Sequence, residues 1–310
     1  MTETVVESRT RTSIIGFQRS FCVIGERINP TGRLKLAAEM MEGNFETVEK
    51  DAIEQMQAGA NILDVNAGVT SIDPNATEPE LLVKTVKIVQ SIVDLPISLD
   101  SSVTAALSAA LEICEGRPII NSVTAEEEKL EAILPLVKKY NVPVVAISND
   151  ETGISQDPDV RFAVAKKIVE RAADYGIPPN DIVVDPLVMP LGAISTAALQ
   201  VFELCRRLRS ELKVNTTCGA SNMSFGLPNR HGINAAFLSM AIASGMTSAI
   251  MNPCRPQEME AIRASNALIS ADQNCAEWIR HNRVPGGGAP DGGDGGGRRG
   301  RASERRRIGK

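Results

Sequence analysis

The sequence predicts a (β/α)8 barrel, an α/β TIM barrel in a single domain, and three observations predict it. From residue 20 to 283, short apolar, β-branched runs alternate with longer segments of helical period. Eight such runs can be counted, and their span is close to the typical barrel size of about 250 residues. The runs are almost continuously apolar, as strands are when a parallel sheet is covered on both faces. An open doubly wound sheet is the alternative, but no G-x-G-x-x-G follows the first run.

The predicted strands lie at 21–25, 61–65, 97–100, 118–121, 142–147, 182–185, 214–218 and 247–251. Helices fill the intervals. Phe45, Val48, Ala52 and Met56 recur at helical spacing, as do Leu130, Ile133, Leu134 and Val137, and Ala165, Ile168, Val169 and Ala172. Thr124 and Glu127 have the spacing of a capping box. Asp157 followed by Pro158 reads as an N-cap with proline at the first helical position. Residues 233–253 carry no formal charge and approach bilayer length. Ser239, Ser244, Gly245, Thr247 and Ser248 interrupt them, so they read as a buried helix ending near Gly245, a turn and a buried strand.

Two flanks differ from the barrel segment, 20–283. Residues 1–19 form a polar, charged N-terminal extension without the apolar stretch of a secretory signal. Residues 284–310 hold ten of the 24 glycines and carry a charge of +4 against −9 for the rest. That composition cannot bury enough surface to order itself and predicts a disordered tail. The tail could steer an acidic partner through its charge.

Net charge is −5, which argues against a nucleic-acid-binding barrel. Six scattered cysteines and two histidines lack metal-ligand or nucleophile–base spacing. Free thiols suit the cytoplasm.

Active sites of such barrels lie at the C-terminal strand ends. Polar residues recur there: Glu26, Arg27 and Asn29; Asp64 and Asn66; Asp100 to Ser102; Asn121 and Ser122; Ser148 to Asp150; Asp185; Ser221 and Asn222; Asn252. Each alone could cap a helix or start a turn, and Asp64 and Asn149 are read that way. Arg27 could simply pair with Glu26, and His231 reads as a cap or core residue. As a ring, these carboxylates and amides suit a flat heterocycle edged with N–H donors and carbonyls. They do not suit a nucleophilic, Schiff-base or metal mechanism.

The stretches IGERINPTG (24–32), GANILDVNAG (59–68), LPISLDSS (95–102), PIINSVTAE (118–126), DIVVDPLVMP (181–190) and GASNMSFGLPNR (219–230) fall at strand ends in order. Together they resemble the pterin-binding methyltransferases that move a methyl group between 5-methyltetrahydrofolate and a corrinoid. The folate domain of cobalamin-dependent methionine synthase belongs to that family. Dihydropteroate synthase shares the barrel and is the nearest rival. Its Ser-Arg-Lys and Arg-x-His hallmarks are replaced here by Ser221-Asn222-Met223 and Met251-Asn252-Pro253. A non-catalytic folate-binding subunit is a further alternative.

The resemblance implies that Asp100, Asn121 and Asp185 bind the pterin edge and that Asn222 reaches N5. It puts Gly219, Ser221 and Arg230 around the folate, and Glu26, Asn29 and Asn66 at the mouth. It implies tetrahydrofolate or its 5-methyl form as substrate, no metal in this chain, and usually a homodimer. The chain lacks an Asp-x-His-x-x-Gly lower-ligand motif, so the corrinoid (cobalamin) would come from a partner, a corrinoid protein.

Overall fold

The computed structural model describes residues 2–70 and 73–283. Two short strands come first, β1 (Glu3–Glu7) and β2 (Thr12–Gly16). They are followed by β3 (Cys22–Ile28), α1 (Leu34–Met41), α2 (Glu46–Ala58), β4 (Ile62–Asn66), α3 (Pro74–Ile92), β5 (Ile97–Asp100) and α4 (Thr104–Ile113). Next come β6 (Ile119–Val123), α5 (Glu127–Tyr140), β7 (Val144–Ile147), α6 (Pro158–Asp174), β8 (Ile182–Asp185) and α7 (Ala197–Arg207). The chain continues through β9 (Asn215–Thr216), α8 (Arg230–Ala243), β10 (Ser248–Met251), α9 (Pro256–Leu268) and α10 (Ala276–Asn282). Strands β3 to β10 form one parallel sheet in the order β10-β3-β4-β5-β6-β7-β8-β9, the predicted barrel.

The seam between β9 and β10 explains the main difference in strand boundaries. A strand is expected over 214–218, but only Asn215 and Thr216 form one. Across the seam, side-chain hydroxyls replace ladder bonds. Thr216 N–H donates to Thr247 Oγ1 (2.9 Å), and the hydroxyls of Thr247 (2.9 Å) and Ser248 (2.8 Å) donate to the Thr216 carbonyl. Further along, Ile250 N–H reaches the Cys218 carbonyl at 2.8 Å and completes the closure. The fifth predicted strand begins at Val144 rather than 142, because Pro143 has no N–H to give to a ladder.

Helix faces follow the periodicity. Val48 and Ala52 of α2, Leu130 to Val137 of α5, and Ala165, Ile168 and Ala172 of α6 are buried against the strands. Asp157 caps α6 by accepting from Asp159 N–H at 2.9 Å, as expected, and Asp73 does the same for α3. The capping box at Thr124 does not form. Helix α5 starts at Glu127, and the Thr124 hydroxyl instead meets Glu126 at 3.3 Å. Helix α8 ends ahead of Gly245, whose φ of +104° a side chain would resist, so 233–253 is a buried helix, turn and strand. No described helix is long and apolar enough to cross a membrane.

The N-terminal extension, residues 1–19, has a fold of its own among the described residues. It is an antiparallel hairpin, β1 with β2, that closes the barrel at the N-terminal ends of its strands. Val6 and Ile15 pack with Cys22, Ile24, Ile62, Ile119, Val145 and Val183 in one buried cluster inside the barrel. Asn215 Nδ2 donates to Thr4 Oγ1 and to the Ile15 carbonyl, both at 2.9 Å, and ties the hairpin to β9. The tail, 284–310, lies outside the described residues.

Candidate active site

Alternation along a strand decides what faces the barrel interior. Ile24, Ile62, Ile119 and Val183 point inward. Two residues further on, the same faces carry Glu26, Asp64, Asn121 and Asp185. Strand β5 contributes Ser98 and Asp100, and β4 adds Asn66 one repeat higher. One interior level is thus built of carboxyls and amides.

Its centre is a connected group. Ser98 Oγ donates to Asp64 Oδ1 at 2.6 Å, and Asn121 Nδ2 donates to the same oxygen at 3.1 Å. Asn66 Nδ2 donates to Asp100 Oδ2 at 2.9 Å, while its own carbonyl oxygen is fixed by Gly68 N–H at 2.8 Å. Asp64 and Asp100 stand on adjacent strands, β4 and β5. Burial raises the Asp64 pKa, and the bonds from Ser98 and Asn121 oppose it. Burial first, and then the charge of Asp64, holds the Asp100 pKa well above the ordinary carboxylate range.

Asp185 stands apart from this group on β8. Its Oδ1 accepts the Leu187 N–H at 2.7 Å. Burial pushes its pKa up to about 6, with that N–H and the charge of Arg161 pulling the other way.

A third group gathers on the β3 side. Ser221 Oγ donates to Glu26, 3.0 and 3.2 Å from its two oxygens. Burial raises the Glu26 pKa, Ser221 lowers it, and Glu258 raises it further. Arg230 Nη2 donates to the Ser221 carbonyl at 2.7 Å, and its Nε to Ser224 Oγ at 3.1 Å. Asn222 is exposed at the rim in a short 3-10 turn, and its side chain makes no hydrogen bond among the described residues. Helix α8 begins only at Arg230, so Asn222 caps nothing. A Cβ on Gly219 would sit 3.0 Å from Asn222 Nδ2, so a side chain there would displace the Asn222 amide. Asn29 has its carbonyl oxygen engaged by Thr31 N–H at 2.9 Å, leaving only its amide nitrogen for the mouth.

Four expectations change. Asp64 caps no helix; it is buried inside the barrel between Ser98 and Asn121. Asn149 caps none either, since Asp157 serves α6, and its carbonyl accepts from Ala125 N–H. Arg27 pairs with Asp51 (3.7 Å) rather than Glu26, alongside Arg33, whose guanidinium is 2.6 Å from the same carboxylate. His231 is neither cap nor core. Its ring is 43% exposed, and Nδ1 lies 2.9 Å from buried Glu258.

Alternation could have found Asp64, because a polar residue flanked by Leu63 and Val65 within a strand has no helix terminus to cap. Three more charged residues went unread. Glu78 of α3 accepts the Ser101 hydroxyl behind Asp100. Arg161 of α6 is buried behind Asp185, and Glu258 of α9 is buried behind Glu26. Each lies within the first two turns of its helix, at the mouth end of the barrel.

A family described as pterin binding enzyme matches residues 25–252. The methylcorrinoid:tetrahydrofolate methyltransferase of Eubacterium limosum is 32% identical over 268 residues, which cover 83% of this chain and 94% of that protein. The methionine synthase of Mycobacterium tuberculosis is 28% identical over 266 residues, 82% of this chain and 22% of that longer protein. Among solved structures, Yersinia pestis dihydropteroate synthase with a pterine-sulfa conjugate gives a TM-score of 0.67 at 19% identity, covering 86% of this chain and 99% of the other. Xanthomonas albilineans dihydropteroate synthase with 4-aminobenzoic acid gives 0.64 at 20% identity, covering 86% and 98%. At those identities the likeness is one of fold. The chain belongs to the pterin binding enzyme family.

Proposed function

We propose that this chain is a methyltransferase that moves the N5 methyl group between 5-methyltetrahydrofolate and the cobalt of a corrinoid protein docked over the barrel mouth. The observation that carries this reading is the interior level of Asp64, Asp100, Asn121 and Asp185, whose carboxyls have raised pKa values and call for a ligand that brings N–H donors. The Eubacterium limosum relative supports the reaction class.

A reduced pterin offers N3–H beside an exocyclic amine. Asp100 or Asp185 can accept that pair in a charge-assisted fork, and the other carboxylate can take a further N–H. Asn121, held by its bond to Asp64, can donate to the pterin carbonyl through its remaining amide hydrogen and accept a ring N–H. Asn66 orients Asp100. Glu26, Ser221 and Arg230 keep the 219–230 loop over the mouth, with Gly219 leaving room for the Asn222 amide. Asn29 presents its amide nitrogen at the same rim.

The methyl group leaves a tertiary amine, and an amine anion is a very poor leaving group. N5 must therefore gain positive charge before the carbon is attacked. The free carboxamide of Asn222 has no useful pKa, so it is not the acid. Its carbonyl oxygen can accept from N5–H and stabilise the protonated form, with solvent as the proton source. Assistance of this kind is typically worth about 10²–10⁴ in rate. The corrinoid, brought by its own protein, supplies the nucleophile when docked. This chain aligns the folate beneath it and sets the charge at N5. The same contacts serve transfer in either direction, and the protein works as a homodimer.

Mixing the protein with cob(I)alamin and 5-methyltetrahydrofolate should produce methylcobalamin, followed by its absorbance. Asn222→Ala should lose about 10²-fold or more in rate while folate affinity changes only a few-fold. Tight folate binding without turnover would instead mark a non-catalytic folate-binding subunit. Equal rates for variant and parent would remove Asn222 from the mechanism.

A further inference from the structure

We infer that Arg161 is a positioning residue for the folate: it clamps the Pro186-Leu187 turn so that Asp185 is presented to the pterin. The inference rests on the reading of Asp185 as a pterin ligand.

Arg161 lies in the first turn of α6 and is 1% exposed, the bulkiest of the fully buried side chains among the described residues. Its Nη1 donates to two successive carbonyls, Pro186 at 2.8 Å and Leu187 at 2.9 Å. Its Nη2 donates to Gln200 Oε1 on α7 at 2.5 Å. One guanidinium therefore joins α6, the turn after β8, and α7. Gln200 is held in turn by Thr196, whose hydroxyl accepts from Nε2 at 3.0 Å.

The turn that Arg161 grips has a costly backbone. Leu187 has φ +62°, the left-handed region that a leucine Cβ disfavours and that persists only where the surroundings impose it. Pro186 has no N–H, so the Leu187 N–H is the first one after Asp185 able to bond its carboxylate. It does so at 2.7 Å. Were Leu187 to relax to negative φ, its carbonyl would swing away from Arg161 and the turn that carries the Leu187 N–H would lose that anchor. Arg161 also places its charge near Asp185 and Asp157. A lysine would keep the charge but has no planar fork to hold both carbonyls and Gln200 together.

A double-mutant cycle separates positioning from plain structural support. Affinity for 5-methyltetrahydrofolate is measured by calorimetry on four full-length proteins: parent, Arg161→Lys, Asp185→Asn and the pair. Thermal melts confirm that each is folded. Arg161→Lys should weaken binding about tenfold in the parent and less than about twofold in the Asp185→Asn background, because the clamp acts through that carboxylate. An equal loss in both backgrounds would overturn the inference and leave Arg161 a general stabiliser. If Asp185→Asn alone leaves affinity unchanged, the reading of Asp185 falls and the inference falls with it. Should Arg161→Lys not fold, Gln200→Leu runs the same cycle with an expected loss of about threefold, and the same two outcomes decide it.

Discussion

Two neighbouring levels of the barrel interior are built oppositely. At the lower level, Ile24, Ile62, Ile119, Val145 and Val183 pack on Val6 and Ile15 of the hairpin. At the next inward position of the same strands, roughly 7 Å away, stand Glu26, Asp64, Asn121 and Asp185, with Ile147 the apolar exception. The lower level excludes water and seals the barrel. The upper level concentrates carboxyls whose burial raises their pKa values, a cost that their hydrogen bonds offset only in part. On the reading proposed above, stability and function occupy consecutive inward positions of the same strands, and each should be removable without the other.

The largest effect should come from the lower level. Ile62→Ala deletes a fully buried side chain and should cost about 2–5 kcal/mol in chemical unfolding. The folate affinity of the folded protein should stay within about twofold, since the deleted atoms lie below the ligand. A large affinity loss at unchanged fold would break the separation of the two levels.

The upper level should behave in reverse. Asp185→Asn should weaken 5-methyltetrahydrofolate binding about 10- to 100-fold, the worth of a charge-assisted hydrogen bond. It should also stabilise the folate-free protein. Folded Asp185 holds its proton up to about pH 6, whereas an unfolded aspartate releases it near its ordinary value. Between those limits the folded state binds more protons, so its stability declines as pH rises through the window. At pH 7 the parent bears the full penalty, and the asparagine variant should gain up to about 3 kcal/mol. A variant that loses both affinity and stability would mean that Asp185 supports the fold.

The seal itself has a weaker joint. Asn215→Ala removes two hydrogen bonds between β9 and the hairpin and leaves Thr4 Oγ1 and the Ile15 carbonyl short of a donor. A loss of about 1–3 kcal/mol in stability, with methyl-transfer rate unchanged, is expected.

How far the sequence foretold each level follows the same division. Alternating apolar runs and helical stripes revealed the eight strands, because their burial is set by local pattern. Asp100, Asn121 and Asp185 stood out because each closes a predicted apolar run; Asp100 and Asp185 do end β5 and β8, whereas β6 continues past Asn121 to Val123. Asp64 was read as a cap, although its place between Leu63 and Val65 pointed inward; what the sequence could not show is that Ser98 and Asn121 bond to it there. The hairpin was missed because its polar, charged composition hid the fact that Val6 and Ile15 face the interior. Arg161 and Glu258 needed tertiary partners, Pro186 and Leu187 for one and His231 and Asn234 for the other, that no local pattern supplies.

The most direct test of the central claim is the pH dependence of 5-methyltetrahydrofolate affinity in the parent and in Asp185→Asn, measured side by side. If an ionised Asp185 at the upper level grips the folate, the ratio of the two affinities should fall about tenfold between pH 7 and pH 5, following the titration of a carboxyl with a pKa of about 6. A ratio that stays constant across that range would contradict it.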